Sequence, residues 1–166
     1  LTATVSYGVT RTVEPYSIYT KRIAKKGELL THDSDQAVLT LLKTSDLIEA
    51  DFYTVKIDAT LGQLVEVVAE SKRNIFPVID DKKHFHGYVS LEDIRRDMFK
   101  SENYDVFHVY NFMKSAPAYV YVDEKMDSVM RKFETTGAWN LPVVDRDRTY
   151  IGFVSKSKIF SAYRNQ

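Results

Sequence analysis

The chain has 166 residues, of which 44% are hydrophobic and 28% charged, a balance that fits a soluble globular domain and excludes a disordered or low-complexity class. Its 23 Lys and Arg offset 23 Asp and Glu, so no net field draws in an acidic membrane or nucleic acid, and no nucleic-acid partner is expected. The absence of cysteine excludes disulfides and thiolate zinc sites and suits a reducing compartment; no apolar run is long enough to cross a bilayer.

The chain opens on Leu1 rather than Met, as a piece cut from a longer protein does. Glu14-Pro15 leads into a segment from Tyr16 to Lys26, in which Tyr16 and Tyr19 fall i, i+3 on one face of an expected helix and Lys21, Arg22, Lys25 and Lys26 form a basic cluster. From Asp35 to Leu42, the residues Val38, Leu41 and Leu42 supply an apolar face for packing on the rest of the domain. Asp46-Leu47-Ile48 then opens a unit whose first strand is Thr54-Val55-Lys56-Ile57. Leu61, Leu64, Val65 and Val68 are spaced as one face of a helix, which Thr60 and Gln63 can cap. Two strands, one through Phe76-Pro77-Val78-Ile79 and one through Gly87-Tyr88-Val89-Ser90, flank a solvated reversal at Asp80 to Lys83, and a last helix begins near Leu91.

The same order then returns. Asn111-Phe112-Met113 opens it, Tyr119-Val120-Tyr121-Val122 is the first strand, and Met126, Val129, Met130 and Phe133 mark the helix, with Gly137 at its exit. Leu141-Pro142-Val143-Val144 and Gly152-Phe153-Val154-Ser155 flank a reversal at Asp145 to Arg148, and a helix begins near Lys156. Pro77 and Pro142, like Gly87 and Gly152, stand 65 residues apart, a period longer than the units of solenoids or propellers. A unit of about 60 residues buries only a modest share of its surface, so two copies are expected to pack together with a cleft where they meet. The fold class is mixed α/β (α+β): two pseudo-symmetric strand-helix-strand-strand-helix motifs, preceded by N-terminal helices.

Such a unit in tandem, with an apolar residue before Pro in one strand and Gly-h-h-Ser-x-x-Asp (h apolar) closing the next, resembles a pair of CBS domains. The likeness covers roughly residues 46 to 166. It implies a regulatory rather than a catalytic role, with ATP, ADP or AMP as a regulatory ligand in the cleft. The leading segment, Glu14 to Arg22, Gly27 to His32 and Ala37 to Leu42, is similar to the stretch that joins the last membrane helices of bacterial CLC chloride channels and transporters to their cytosolic CBS pair. That likeness implies a homodimer attached to a transmembrane chloride-transport domain, at the cytoplasmic face of the cell membrane, with Tyr19 on the anion path. Residues 1–45 are then the end of the membrane-associated helices and a helical linker, 46–109 the first CBS motif and 110–166 the second. Tyr16 and Tyr19 serve equally well as one face of a helix packed on the domain.

The candidate site centres on Ser90 and Asp93. Ser90 ends a strand at the N-cap of a helix, where free N–H groups favour an anion such as a phosphate. Asp93 offers two acceptor oxygens, and the resemblance assigns it the ribose hydroxyls. The other reading is local: Ser-x-x-Asp is close to a capping box and needs no ligand. By the family's arrangement, the intact nucleotide site joins Leu141 and Pro142, with Val55, to Ser90 and Asp93. The second site joins Phe76 and Pro77 to Ser155 and Lys158, and is degenerate because a lysine cannot accept from ribose. Trp139 and Phe76 offer rings for a purine, or else belong to the core.

Other chemistries lack their scaffolds. His84 and His86 alternate across a hairpin and so share a face, but no third metal ligand stands at a regular spacing, so no metal is expected. There is no Gly-x-x-x-x-Gly-Lys, Gly-x-Gly-x-x-Gly or Gly-x-Ser-x-Gly motif, and only six glycines, so no enzyme is expected. A CBS pair of another transporter or enzyme, or a ligand-free dimerisation scaffold, remains the alternative to the chloride-transport assignment.

Overall fold

The computed structural model describes residues 41–165. The segment from Tyr16 to Lys26, Tyr19 within it, and most of Asp35 to Leu42 lie outside the described residues. In the first copy, a two-residue strand β1 (Val55–Lys56) leads into helix α1 (Leu61–Glu70), hairpin strands β2 (Ile75–Ile79) and β3 (Phe85–Ser90), and a short helix α2 (Leu91–Ile94). Helix α3 (Val109–Phe112) opens the second copy, followed by β4 (Val120–Tyr121), α4 (Met126–Thr136), β5 (Asn140–Val144), β6 (Tyr150–Ser155) and α5 (Lys156–Arg164). Each copy forms a three-stranded sheet, β1-β2-β3 or β4-β5-β6, in which the first strand is parallel and the third antiparallel to the middle one.

Local chemistry fixes these elements where the residue types predict them. Thr60 and Gln63 exchange hydrogen bonds at the start of α1, each side chain taking the other's backbone N–H at 3.2 and 3.0 Å. Gly137 ends α4 in the left-handed conformation, φ 67°, which costs a glycine nothing. Asp80 Oδ1 accepts from the amides of Lys82 and His84, and Asp145 Oδ1 from those of Asp147 and Thr149, so each carboxylate organises its hairpin reversal.

The two sheets repeat residue for residue. Val55 lies opposite Val78 and Val120 opposite Val143; the irregularity between Val78 and Ile79 returns between Val143 and Val144. Contacts between the copies are reciprocal as well. Glu49 and Phe153 exchange backbone hydrogen bonds at 2.8 and 3.0 Å, and their counterparts Lys114 and Tyr88 do so at 2.8 and 2.9 Å. The hairpin reversals meet where the amide of Phe85 donates to the Arg148 carbonyl (3.0 Å) and that of Tyr150 to the Lys83 carbonyl (2.9 Å). An approximate dyad therefore runs between His84 and Thr149, which bridge each other.

The segments that open each copy in sequence pack on the other one. Leu47 sits in the core of the second copy with Val129, Phe133 and Leu141, while Val109 sits in the core of the first with Leu61, Phe76 and Val89. A third apolar cluster, built on Phe85, Val144 and Phe153, lies where the sheets meet. Gly87 and Gly152 permit the crossing. A Cβ on Gly87 would run into the Lys114 carbonyl, and one on Gly152 would stand 2.6 Å from that of Glu49. Among the described residues no helix is long and apolar enough to cross a membrane.

Candidate functional site

Side chains alternate across a strand, so within each Phe-Pro or Leu-Pro pair one residue faces its own core and the other the partner copy. Phe76 and Leu141 are wholly buried in the cores of their copies, and Val55 is buried beside Phe76. These three expected site side chains therefore do not reach the cleft, and the ring of Phe76 is not available for stacking. Pro142 does reach it. A pocket of about 230 Å³ opens between the copies, lined by Pro142, Trp139 and Asn140 of the second and by Ile75 and Tyr88 of the first, with Pro117 from the segment between them. Its volume falls short of the roughly 300–1,000 Å³ of small-molecule sites, enough for the base of a nucleotide rather than the whole. Trp139 is 71% exposed, so its indole stands at the mouth with Lys156 Nζ 5.4 Å from the ring centroid. A larger hollow of about 430 Å³ lies elsewhere, between Thr44 and the Val122–Asp127 segment.

Ser90 and Asp93 stand beside this pocket without lining it. Asp93 Oδ2 accepts from the Ser90 amide at 3.0 Å and from its hydroxyl at 2.6 Å, so the local capping contact is made. Asp93 Oδ1 forms an ion pair with Lys114 Nζ. Burial pushes the Asp93 carboxyl up, but the hydrogen bonds from Lys114 and Ser90 outweigh it and the net displacement is downward. Lys114 belongs to the strip that pairs with Tyr88, and Pro117, three residues on, walls the pocket.

The equivalent place in the other half carries the opposite charges. Lys158 replaces Asp93 and Glu49 replaces Lys114. Ser155 is buried and its hydroxyl caps α5, accepting from the Lys158 amide at 3.2 Å while donating to Glu49 Oε2 at 2.8 Å; the Lys158 residue itself is exposed. Glu49 also meets Arg73 at 3.0 Å, and Arg73 grips both oxygens of Asp51 at 2.6 and 2.8 Å. The Arg73 hydrogen bond holds the Asp51 carboxyl below its usual range. The guanidinium lies 4.6 Å over the Phe52 ring, which in turn packs 4.9 Å from Phe153. Phe52 and Arg73 are the counterparts of Pro117 and Ala138. One cleft is thus open beside a proline and an alanine, and its twin, beside Pro77, is filled by a phenylalanine under an arginine.

Lys114, Phe52 and Arg73 escaped the reading of the sequence. The signal was present in the repeat itself: aligned at 65 residues, Asp93 and Lys114 face Lys158 and Glu49, a coupled reversal of sign. His84 and His86 share one partner that the spacing did not disclose, Asp80 Oδ2, at 3.1 and 2.9 Å.

The CBS domain matches residues 45–100 and again 109–165, together more than half of the chain. The chain belongs to the CBS domain family. It is a tandem CBS pair, a regulatory module. Its curated relatives include a homoserine O-acetyltransferase of Methanohalobium evestigatum, 27% identical over 69% of this chain, and the uncharacterized protein MJ0188 of Methanocaldococcus jannaschii, 29% identical over 71%. The CBS pair spans only 23% of the first and 43% of the second. Among solved structures, CBSX2 in complex with AMP is 25% identical, with a TM-score of 0.60 over 74% of this chain and 96% of that one. The CBS domain of a bacterial CNNM/CorC family Mg2+ transporter superposes with a TM-score of 0.67 over 88% of this chain and 92% of its own, at 14% identity, a likeness of fold alone.

Proposed function

We propose that this CBS pair senses an adenine nucleotide through the cleft between Tyr88 and Pro142. The carrying observation is the conjunction of an open pocket floored by Pro142, an exposed indole at its mouth and the Ser90–Asp93 pair beside it. The base enters between Tyr88, Pro142 and Trp139, Asp93 receives the ribose hydroxyls, and the start of α2 at Ser90 faces the phosphate. The AMP complex of CBSX2 supports that ligand class. Titration calorimetry of the chain with AMP, ADP and ATP tests the reading: one ligand per chain is expected, with binding lost in Asp93→Ala and kept in Lys158→Ala. The absence of both heat and a thermal shift at millimolar nucleotide overturns it, and leaves a scaffold that joins two subunits. That second reading draws on the Asp93 carboxylate, whose oxygens already have partners.

For the host, we propose a CLC-type chloride channel or proton-coupled antiporter acting as a homodimer, on the likeness of Glu14 to Leu42, with Tyr19 on the anion path. A ligand alters transport only where it binds one arrangement of the domain more tightly than another. The competing host is an enzyme, as in the homoserine O-acetyltransferases that share this region. Sequence upstream of Leu1 decides: several long apolar segments support the transporter, and a soluble catalytic domain overturns it.

A further inference from the structure

We infer that Lys114 selects for the charge of the ligand, serving as counter-ion to Asp93 in the empty cleft and to the ligand's phosphate in the filled one. The inference rests on the nucleotide reading above and adds a residue outside the X-Pro and Ser-x-x-Asp positions from which that reading was built.

A carboxylate has about four acceptor positions. Ser90 takes two contacts on Oδ2 of Asp93, and Lys114 holds Oδ1. A ribose that presents two hydroxyls to Asp93 therefore has to displace the ammonium. Nothing prevents that movement: the Lys114 side chain is 56% exposed, while that of Asp93 is 14% exposed and fixed by its cap. Only the backbone of Lys114 is anchored, through its two hydrogen bonds with Tyr88. The head group thus swings on a four-carbon stem above a pocket whose wall, Pro117, belongs to the same strip. A neutral nucleoside that dislodges Lys114 leaves it without a partner. A nucleotide brings the replacement charge with it, and a charge-assisted contact repays the ion pair that was broken. The twin cleft shows the converse. There Glu49 occupies the place of Lys114, already holds Ser155 and Arg73, and would repel a phosphate.

The test compares AMP with adenosine by calorimetry on the wild-type chain, Lys114→Gln and Lys114→Arg, each first checked for an unchanged thermal transition. Wild type is expected to prefer AMP by about tenfold or more, the equivalent of about 1.4 kcal/mol. In Lys114→Gln that preference falls to about twofold or less, because adenosine binds as well or better while AMP weakens; Lys114→Arg retains it. The AMP preference of wild type also shrinks as salt rises. Lys114→Gln with the wild-type ratio overturns the inference and leaves the nucleotide site intact, whereas a wild-type chain that binds neither ligand removes both.

Discussion

Lys83 and Arg148 adopt the left-handed backbone conformation, at φ 64° and 65°, and each gives its carbonyl to the opposite copy. They are the only non-glycine residues with positive φ among the described ones, and they sit beside the dyad. An L-residue there carries roughly 1–2 kcal/mol of local strain. Lys83→Gly is therefore expected to raise stability by about 0.5–1 kcal/mol after the extra entropy of glycine, and Lys83→Val to lower it by about 1–3 kcal/mol. Urea unfolding ranks the three; a valine variant as stable as wild type would contradict the account.

Gly87 has no room for a methyl group. Its Cβ would meet the Lys114 carbonyl and lie 2.8 Å from Met113 Cγ, so backbone rather than a flexible tip must move. Gly87→Ala is expected to cost about 1–3 kcal/mol, as overpacking does, and to weaken the Lys114–Asp93 pair that hangs from the same strip. Thermal unfolding together with nucleotide titration reads both effects. The same substitution at Gly137, where nothing lies within 4 Å, strains only the backbone.

Moving the plug to the open side is expected to close it. Pro117→Phe with Ala138→Arg places in the first cleft the pair that fills the second, and nucleotide binding should fall below detection while the melting transition stays cooperative. Binding at wild-type strength in the double variant would mean that the ligand sits elsewhere.

Asp80 sets an acid limit on stability. His86 is the largest influence holding its carboxyl far below the usual range, against burial, helped by the amide and ring of His84 and the amide of Lys82. A depressed carboxylate contributes fully above its unfolded value, near 3.9, and loses that contribution as pH falls toward the folded one. Asp80→Asn is accordingly expected to be less stable than wild type at neutral pH, with the gap narrowing below about pH 4. A gap that stays constant down to pH 2 would discount the histidine contacts.

The fold was legible where its determinants are local. Thr60 with Gln63, Gly137, and the Asp80 and Asp145 reversals each act within a few residues, so type and spacing suffice to place them. The 65-residue period disclosed the pairing of copies for the same reason, each being a full pattern in itself. The features that stayed hidden depend on partners far apart in the chain. Ser90-x-x-Asp93 reads alike as a cap or as a ligand site until Lys114 is seen on Asp93. Phe76 lies within, and Trp139 just before, a strand carrying a proline, yet only Trp139 is exposed, because alternation turns Phe76 into its own core. Nothing in Phe52 or Arg73 taken singly announces that they fill a cleft.

The crossing of the two opening segments has a bearing on how the chain is made. The first sheet gains its edge from Lys114, only a short way downstream of Tyr88, so it can be completed while synthesis is still under way. The second waits for β6, then recruits Glu49, which lies 106 positions upstream of its partner Ser155. Until that moment the early strip must remain unclaimed, and neither half severed from the other carries everything needed to finish itself.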